Sequence, residues 1–165
     1  DLGGIAKGYA LDQAAERMKA AGATCGLIDV GGDIVAVGKQ ANGDPWRIGV
    51  QHPFQSGLML KLSLTDRAVA TSGTQQRFTV IGNHRYSHII DPRTGRPAEQ
   101  APSVTVVARD GITADAWATV FSVLSVQEGL EKAKELPDVD VMWIGGDAAQ
   151  PQSAQTADFD RHITP

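Results

Sequence analysis

The sequence predicts an α+β fold: a mostly antiparallel sheet with helices packed against it, an ordinary domain in size at 165 residues. Two observations carry that reading. Helical periodicity is confined to one stretch near the start and to the region after residue 112. Between them lie short β-type segments, several alternating in polarity and most bounded by Gly, Pro, Asn or Asp, in runs that suit antiparallel pairing.

Residues 5–21 read as an amphipathic helix, with Ile5, Tyr9, Met18 and several alanines at helical spacing, ended by Gly22. "CGLIDVGGDIVAVG" (25–38) reads as two strand segments joined at Gly31 and Gly32. "ANGDP" (41–45) is a turn and "WRIGVQ" (46–51) a strand. "LMLKLSLT" (58–65) alternates around Lys61 and Ser63, so a half-exposed strand is expected. "AVATSG" (68–73) ends in a small polar turn, and residues 76–90 form a hairpin turning at Gly82 and Asn83. "DPRTGRP" (91–97) is a turn-rich loop, "SVTVVA" (103–108) a strand, 113–125 and 126–136 helices, and "VDVMWIGG" (139–146) a last strand. The domain is expected to end at 146, with a polar, flexible tail over 147–165. Asp1 to Gly4 read as a strand end running into a helix cap, so we expect the sequence to be a piece of a longer protein.

Composition narrows the function. A net charge of −4 argues against a general nucleic-acid binder, which needs a basic surface. No run approaches the roughly 18 apolar residues of a membrane span. Cys25 is alone, which excludes an internal disulfide. The absence of a Cys/His cluster or a Ser-His-Asp order argues against zinc or thiol chemistry.

Three segments carry candidate chemistry. In "TADAWATVFSVL" (113–124), about 100° per residue places Asp115, Thr119 and Ser122 on one stripe, opposite Trp117, Val120, Phe121 and Leu124. A carboxylate and a hydroxyl at i and i+4 suit Mg²⁺ or Ca²⁺, which take oxygen ligands. The same spacing also suits an Asp complementing its own helix dipole and a Thr bonding back to its helix. In "YSHIIDPRTGRP" (86–97), His88 ends a strand before a rigid turn, a place for a general base or for a structural hydrogen-bonder. In "DLGGIAKG", Gly3 and Gly4 precede a helix start with Lys7 in its first turn, an arrangement able to hold a phosphate but matching neither a P-loop nor a dinucleotide fingerprint. "DVGGDI" and "ATSG" are open between tight turns and ligand contacts.

Taken in order, "DLGGIAKGYALD", "LIDVGGDI", "AVATSG", "YSHIIDPRTGRP" and "TADAWATVFSVL" resemble the ApbE-like family, the FAD:protein FMN transferases once called thiamine biosynthesis lipoproteins. The likeness runs to about residue 125, and family members are roughly twice this length. It implies an enzyme that binds FAD with Mg²⁺, cleaves the pyrophosphate, joins FMN through its phosphate to a Thr or Ser hydroxyl of an acceptor flavoprotein, and releases AMP. Acceptors of the family include subunits of respiratory quinone reductases. The likeness also implies an exported protein, periplasmic or lipid-anchored at the inner membrane. By position, Asp115 and Thr119 fall on the family's metal ligands, with a backbone oxygen near Gly4 to Ala6, taken as that of Ala6, as a further one. His88 falls on its proposed base. Lys7, Gly3 and Gly4 resemble phosphate-side contacts; Gly31, Gly32, Thr71, Ser72 and Gly73 resemble loops lining the flavin cleft. Asp91, Thr94 and Gly95 are expected to shape the His88 loop.

Two departures stand out. Asp29 occupies a position where many members carry Asn, and part of the FAD pocket should come from the half of the family's length that this sequence does not match. Two other readings remain: an FAD-binding protein or FAD pyrophosphatase that yields free FMN and AMP, and a non-catalytic interaction domain. The retention of Asp115, Thr119 and His88 argues against the last.

Overall fold

The computed structural model describes residues 2–73, 78–98 and 103–164. Asp1, the start of the expected hairpin at 76–77, and Pro165 lie outside the described residues. Helix α1 spans Ala6–Ala20; β1 (Gly26–Val30), β2 (Asp33–Val37), β3 (Trp46–Gln51), β4 (Leu58–Leu64) and β5 (Arg67–Ser72) follow. Then come β6 (Phe78–Ile81), β7 (His84–Ser87), the two-residue strands β8 (Ile90–Asp91) and β9 (Arg96–Pro97), and β10 (Ser103–Ala108). Helices α2 (Gly111–Val123) and α3 (Val126–Ala133), β11 (Asp140–Gly146), β12 (Pro151–Gln155) and a 3₁₀ turn at Phe159–His162 complete the chain.

A six-stranded sheet in the order β1-β2-β5-β10-β11-β12 organises these elements, and every neighbouring pair in it is antiparallel. The expected fold class is therefore the observed one. Side chains alternate across each strand, so the sheet feeds two cores. On one face Val35, Ala68, Ala70, Val104, Val106, Val141 and Trp143 meet Leu11 of α1 and Ala118 and Phe121 of α2. On the other, Val69, Val107, Met142 and Ile144 meet Ile48, Val50, Leu62 and Leu64 of the β3–β4 ribbon. Strand β10 is buried along its whole length because it lies under cover on both sides, which explains its nearly unbroken apolar run. Its one hydroxyl within that run, Thr105, meets the Thr71 hydroxyl of β5 at 3.0 Å across a directly opposed pair.

The turn at Gly31 and Gly32 is a two-residue hairpin loop, since Val30 pairs with Asp33 and both glycines have positive φ, 63° and 93°. This primed-type geometry matches strand twist and excludes most side chains. Asp29 fixes it, accepting the Gly32 N–H through Oδ1 at 2.9 Å. Asn carries the same acceptor atom, so the Asp29 departure preserves the turn. Helix α2 begins two residues earlier than its periodicity suggests, because Asp110 caps it by accepting the Thr113 N–H. Helix α3 opens on a Ser125/Glu128 capping box and ends at Ala133, short of the expected 136, in the approach to Pro137.

The largest difference concerns the tail. The segment expected to be loose after residue 146 supplies β12, paired with β11, and then buries Phe159 completely in the second core. Asp140 of β11 accepts from Arg161 and pairs with His162, each at 2.7 Å, and the Thr164 N–H donates to the Lys61 carbonyl. Polar β12 has no alternation to betray it, because it is an edge strand exposed on both faces. Phe159→Ala is accordingly expected to lower stability by about 3–5 kcal/mol, read as a fall in the urea midpoint. A loss below about 1 kcal/mol, the level of an ordinary surface change, would make the tail an appendage after all.

Candidate functional site

The site is built where α1 crosses α2. A Cβ on Gly8 would sit 2.3 Å from the Gly111 carbonyl oxygen, and one on Gly111 would sit 2.8 Å from the Gly8 carbonyl oxygen. Only two glycines allow the backbones this approach. Asp12 of α1 then reaches the start of α2, accepting the Gly111 and Ile112 N–H groups at 2.6 and 2.9 Å. In return, Asp115 of α2 accepts the Gly8 N–H at 2.9 Å through Oδ2. Each helix thus satisfies orphan N-terminal amides of the other with a carboxylate.

Asp115 therefore complements a helix dipole, but that of α1. It is 3% exposed, at the rim of the buried arc of α2, with Thr119 next to it on the more open side. The third member of the expected stripe turns away from the site: Ser122 is fully buried and donates to the Ala118 carbonyl at 2.8 Å. Phe121, expected on the opposite face, is just as buried, because the core-facing arc of α2 runs from Phe121 through Ala118 to Ser122 and Asp115. Gly4 makes room for Thr119, whose side-chain atoms lie 3.1 to 3.3 Å from where a Gly4 Cβ would stand.

Lys7 brings the charge. Its ammonium is ion-paired with Asp33 and lies 3.4 Å from Asp115 Oδ1. Asp33, the first residue of β2, is 1% exposed and also accepts the Thr71 N–H at 3.3 Å. Burial pushes its carboxyl above the usual range; the Lys7 hydrogen bond and charge pull it down, and the Asp115 charge adds to the upward push. Two buried carboxylates share one ammonium, which leaves the cluster one positive charge short. Among the described residues no group of three His, Cys, Asp or Glu forms a metal cluster. The donors that are present, Asp115 Oδ1 and the Thr119 hydroxyl beside a charge deficit, are hard oxygens of the kind Mg²⁺ takes with waters or substrate phosphates completing its shell, so they fit such an ion.

A cavity of about 300 Å³ opens over this cluster, lined by Gly3, Gly4, Lys7, Gly31, Thr71, Ser72, Gly73, His88, Asp115 and Thr119 among others. The structure thus gathers most of the residues singled out in sequence. A larger cavity of about 580 Å³ adjoins it, sharing Gly31 and Thr71 to Gly73 and adding Gly32, Asp29, Gln51 and His52. Ala6 lines neither. His88 follows β7 on a bend held by the Ile89 N–H donating to Ser87 Oγ. Beyond it, Asp91 accepts the Arg93 N–H at 2.8 Å and receives its guanidinium, which holds the Asp91 carboxyl below the usual range, while the Gly95 N–H donates to the Asp91 carbonyl and the Arg96 N–H to Thr94 Oγ1. Sequence reasoning passed over Asp33, Asp12 and His52. Asp33 alone left a trace, as an acid opening an otherwise apolar strand.

Comparison with known proteins follows the same lines. A family model described as the ApbE family matches residues 1–143. An FAD:protein FMN transferase of Escherichia coli K12 is 37% identical over 139 residues, covering 82% of this chain and 38% of that protein. One of Treponema pallidum is 36% identical, covering 96% and 47%. The crystal structure of an ApbE protein from Thermotoga maritima superposes with a TM-score of 0.90 at 33% identity, over 100% of this chain and 53% of its own. The flavin transferase ApbE of Vibrio cholerae gives 0.84 at 32%, over 98% and 52%. The chain spans about half the length of these proteins, or less.

The helix crossing makes a direct test available. Gly8→Ala is expected to force α1 from α2 and to cost at least about 1–3 kcal/mol, measured by chemical denaturation. Wild-type stability in that variant would show that the crossing has slack.

Proposed function

The chain belongs to the ApbE family, and from that premise we propose that the whole protein is an FAD:protein FMN transferase whose phosphate-handling centre is the Lys7–Asp33–Asp115–Thr119 cluster. The observation that carries the reading is a charge-deficient pair of buried carboxylates around Lys7, one of which, Asp115, lines a cavity with Lys7, Thr119 and His88. FAD is the substrate, and its pyrophosphate belongs over the floor of that cavity. The adjoining cavities, about 300 and 580 Å³, lie within the usual range for small-molecule sites, with the larger one available to the flavin.

Asp115 Oδ1 and the Thr119 hydroxyl would hold Mg²⁺, with a backbone carbonyl from the stretch ending at Ala6 as a further donor. Such an ion, when bound, supplies neutralisation of the charge that builds on the phosphates. The protein's own part is positional. Gly3 and Gly4 keep the approach to Thr119 free of side chains, and Lys7 offers an ammonium to a phosphate oxygen. His88 accepts the proton from the acceptor's Thr or Ser hydroxyl as its oxygen joins the FMN phosphorus and the bond to AMP breaks. Asp91, Arg93 and Thr94 hold the loop beside that imidazole. The acceptor is a flavoprotein, and a respiratory quinone-reductase subunit fits the family resemblance. The same resemblance supports an exported location for the whole protein, periplasmic or anchored by lipid to the inner membrane, as cell fractionation would check. Among the described helices none is long and apolar enough to cross a membrane.

FMN transfer by the whole protein tests the assignment. Asp115→Ala should abolish metal-dependent transfer with the fold intact, and His88→Gln should slow it about 10²–10⁴-fold. Undiminished transfer in either variant removes that residue's role. Release of free FMN and AMP with no labelled acceptor would identify a pyrophosphatase instead.

A further inference from the structure

Asp33 is the buried acid that the metal reading does not use. It stands outside the oxygen set of Asp115 and Thr119, yet it is the less exposed of the two carboxylates and holds Lys7 the more closely. Its Oδ1 accepts the Thr71 N–H, so its carboxylate is fixed to β5 and cannot turn to follow a ligand. Lys7 is different: its side chain is one-third exposed and lies at the edge of the cavity.

We propose that Lys7 is a displaceable cation, seated between Asp33 and Asp115 until a divalent ion takes Asp115, and that Asp33 is the positioning residue that keeps its ammonium tethered at the cavity. The inference rests on the reading of Asp115 as a metal ligand. A Mg²⁺ ion binds a carboxylate oxygen at about 2.0–2.1 Å. Since the ammonium lies 3.4 Å from Asp115 Oδ1, the two cations would stand within about 5–6 Å of each other, well inside the distance over which charges repel. The ammonium must therefore leave Asp115. Asp33 holds it back from solvent, and the open direction is the cavity, where a phosphate oxygen can receive it.

The charge count gives this exchange a consequence. Without a divalent ion, two carboxylates and one ammonium leave the floor net negative, and it repels a pyrophosphate. With the ion and Lys7 both retained, the floor becomes net positive, and it attracts one. The metal thus changes the sign of the surface that meets the nucleotide as long as Lys7 stays at the cavity, where Asp33 tethers it.

A single substitution should then act in opposite directions on two ligands. Lys7→Met is expected to tighten Mn²⁺ binding to the flavin-free full chain by roughly tenfold or more, read from free Mn²⁺ by electron paramagnetic resonance. In saturating Mn²⁺ it should weaken FAD binding by a similar factor, read from flavin fluorescence. Asp33→Asn, which preserves shape and the Thr71 hydrogen bond, should weaken Mn²⁺ binding. Unchanged or weaker Mn²⁺ binding in Lys7→Met overturns the displaceable cation. If Asp115→Ala binds Mn²⁺ as well as the wild type, the metal reading falls and takes this inference with it. Binding that needs Asp115 but ignores Lys7 removes the inference alone.

Discussion

The contact between Gly8 and Gly111 is the constraint on which the remaining architecture depends. It sets α1 against α2 at backbone distance, and only at that distance can Asp12 and Asp115 reach across to the amides of the facing helix. Those two carboxylates take amides that the local caps leave over: Ile5 gives α1 no side-chain cap, and Asp110 of α2 takes the Thr113 N–H but not those of Gly111 and Ile112. The same crossing delivers Lys7 to the start of β2, where Asp33 waits. Packing, capping and site assembly are one event here, and a methyl group at Gly8 would oppose all three.

Burying two acids is unfavourable unless something compensates, and compensation here is deliberately incomplete in physical terms. Asp115 has one oxygen committed to a backbone N–H and the other left within reach of the ammonium. Asp33 is held by Lys7 and by the Thr71 amide. A fully neutralised core pair would be inert. A pair short of one positive charge leaves room for a second cation, which is what the proposed metal site requires of these residues.

Much of the fold was legible in the sequence because its signals are local. The Gly31-Gly32 turn, the alternation of β4 and the apolar run of β10 each follow from a few neighbouring residues. The site was legible in a different way. Residues 7, 88 and 115 share no local pattern, and only their ordered resemblance to one family brought them together. What escaped depends on partners distant in sequence. Asp33 acquires its meaning from a lysine 26 residues earlier. Ser122 shares a helical stripe with Asp115, yet the sheet decides which part of the stripe is core, and Ser122 falls inside it. Phe159 is a lone aromatic in a polar run, and nothing near it signals that the underside of the sheet is open until Ile48, Leu62 and Ile144 are seen around it.

The hydrogen bond from the Gly8 amide to Asp115 spans 107 residues of chain. Between its ends lie β2, β5 and β10, three neighbouring strands of the sheet, so the loop it closes contains a large part of the core. Closing so long a loop is entropically unfavourable until the intervening strands have paired. The Lys7–Asp115 floor is therefore favoured only once those strands have paired. An amide so placed exchanges its proton with solvent only when the crossing opens, which makes the Gly8 N–H a gauge of how firmly the centre is held shut.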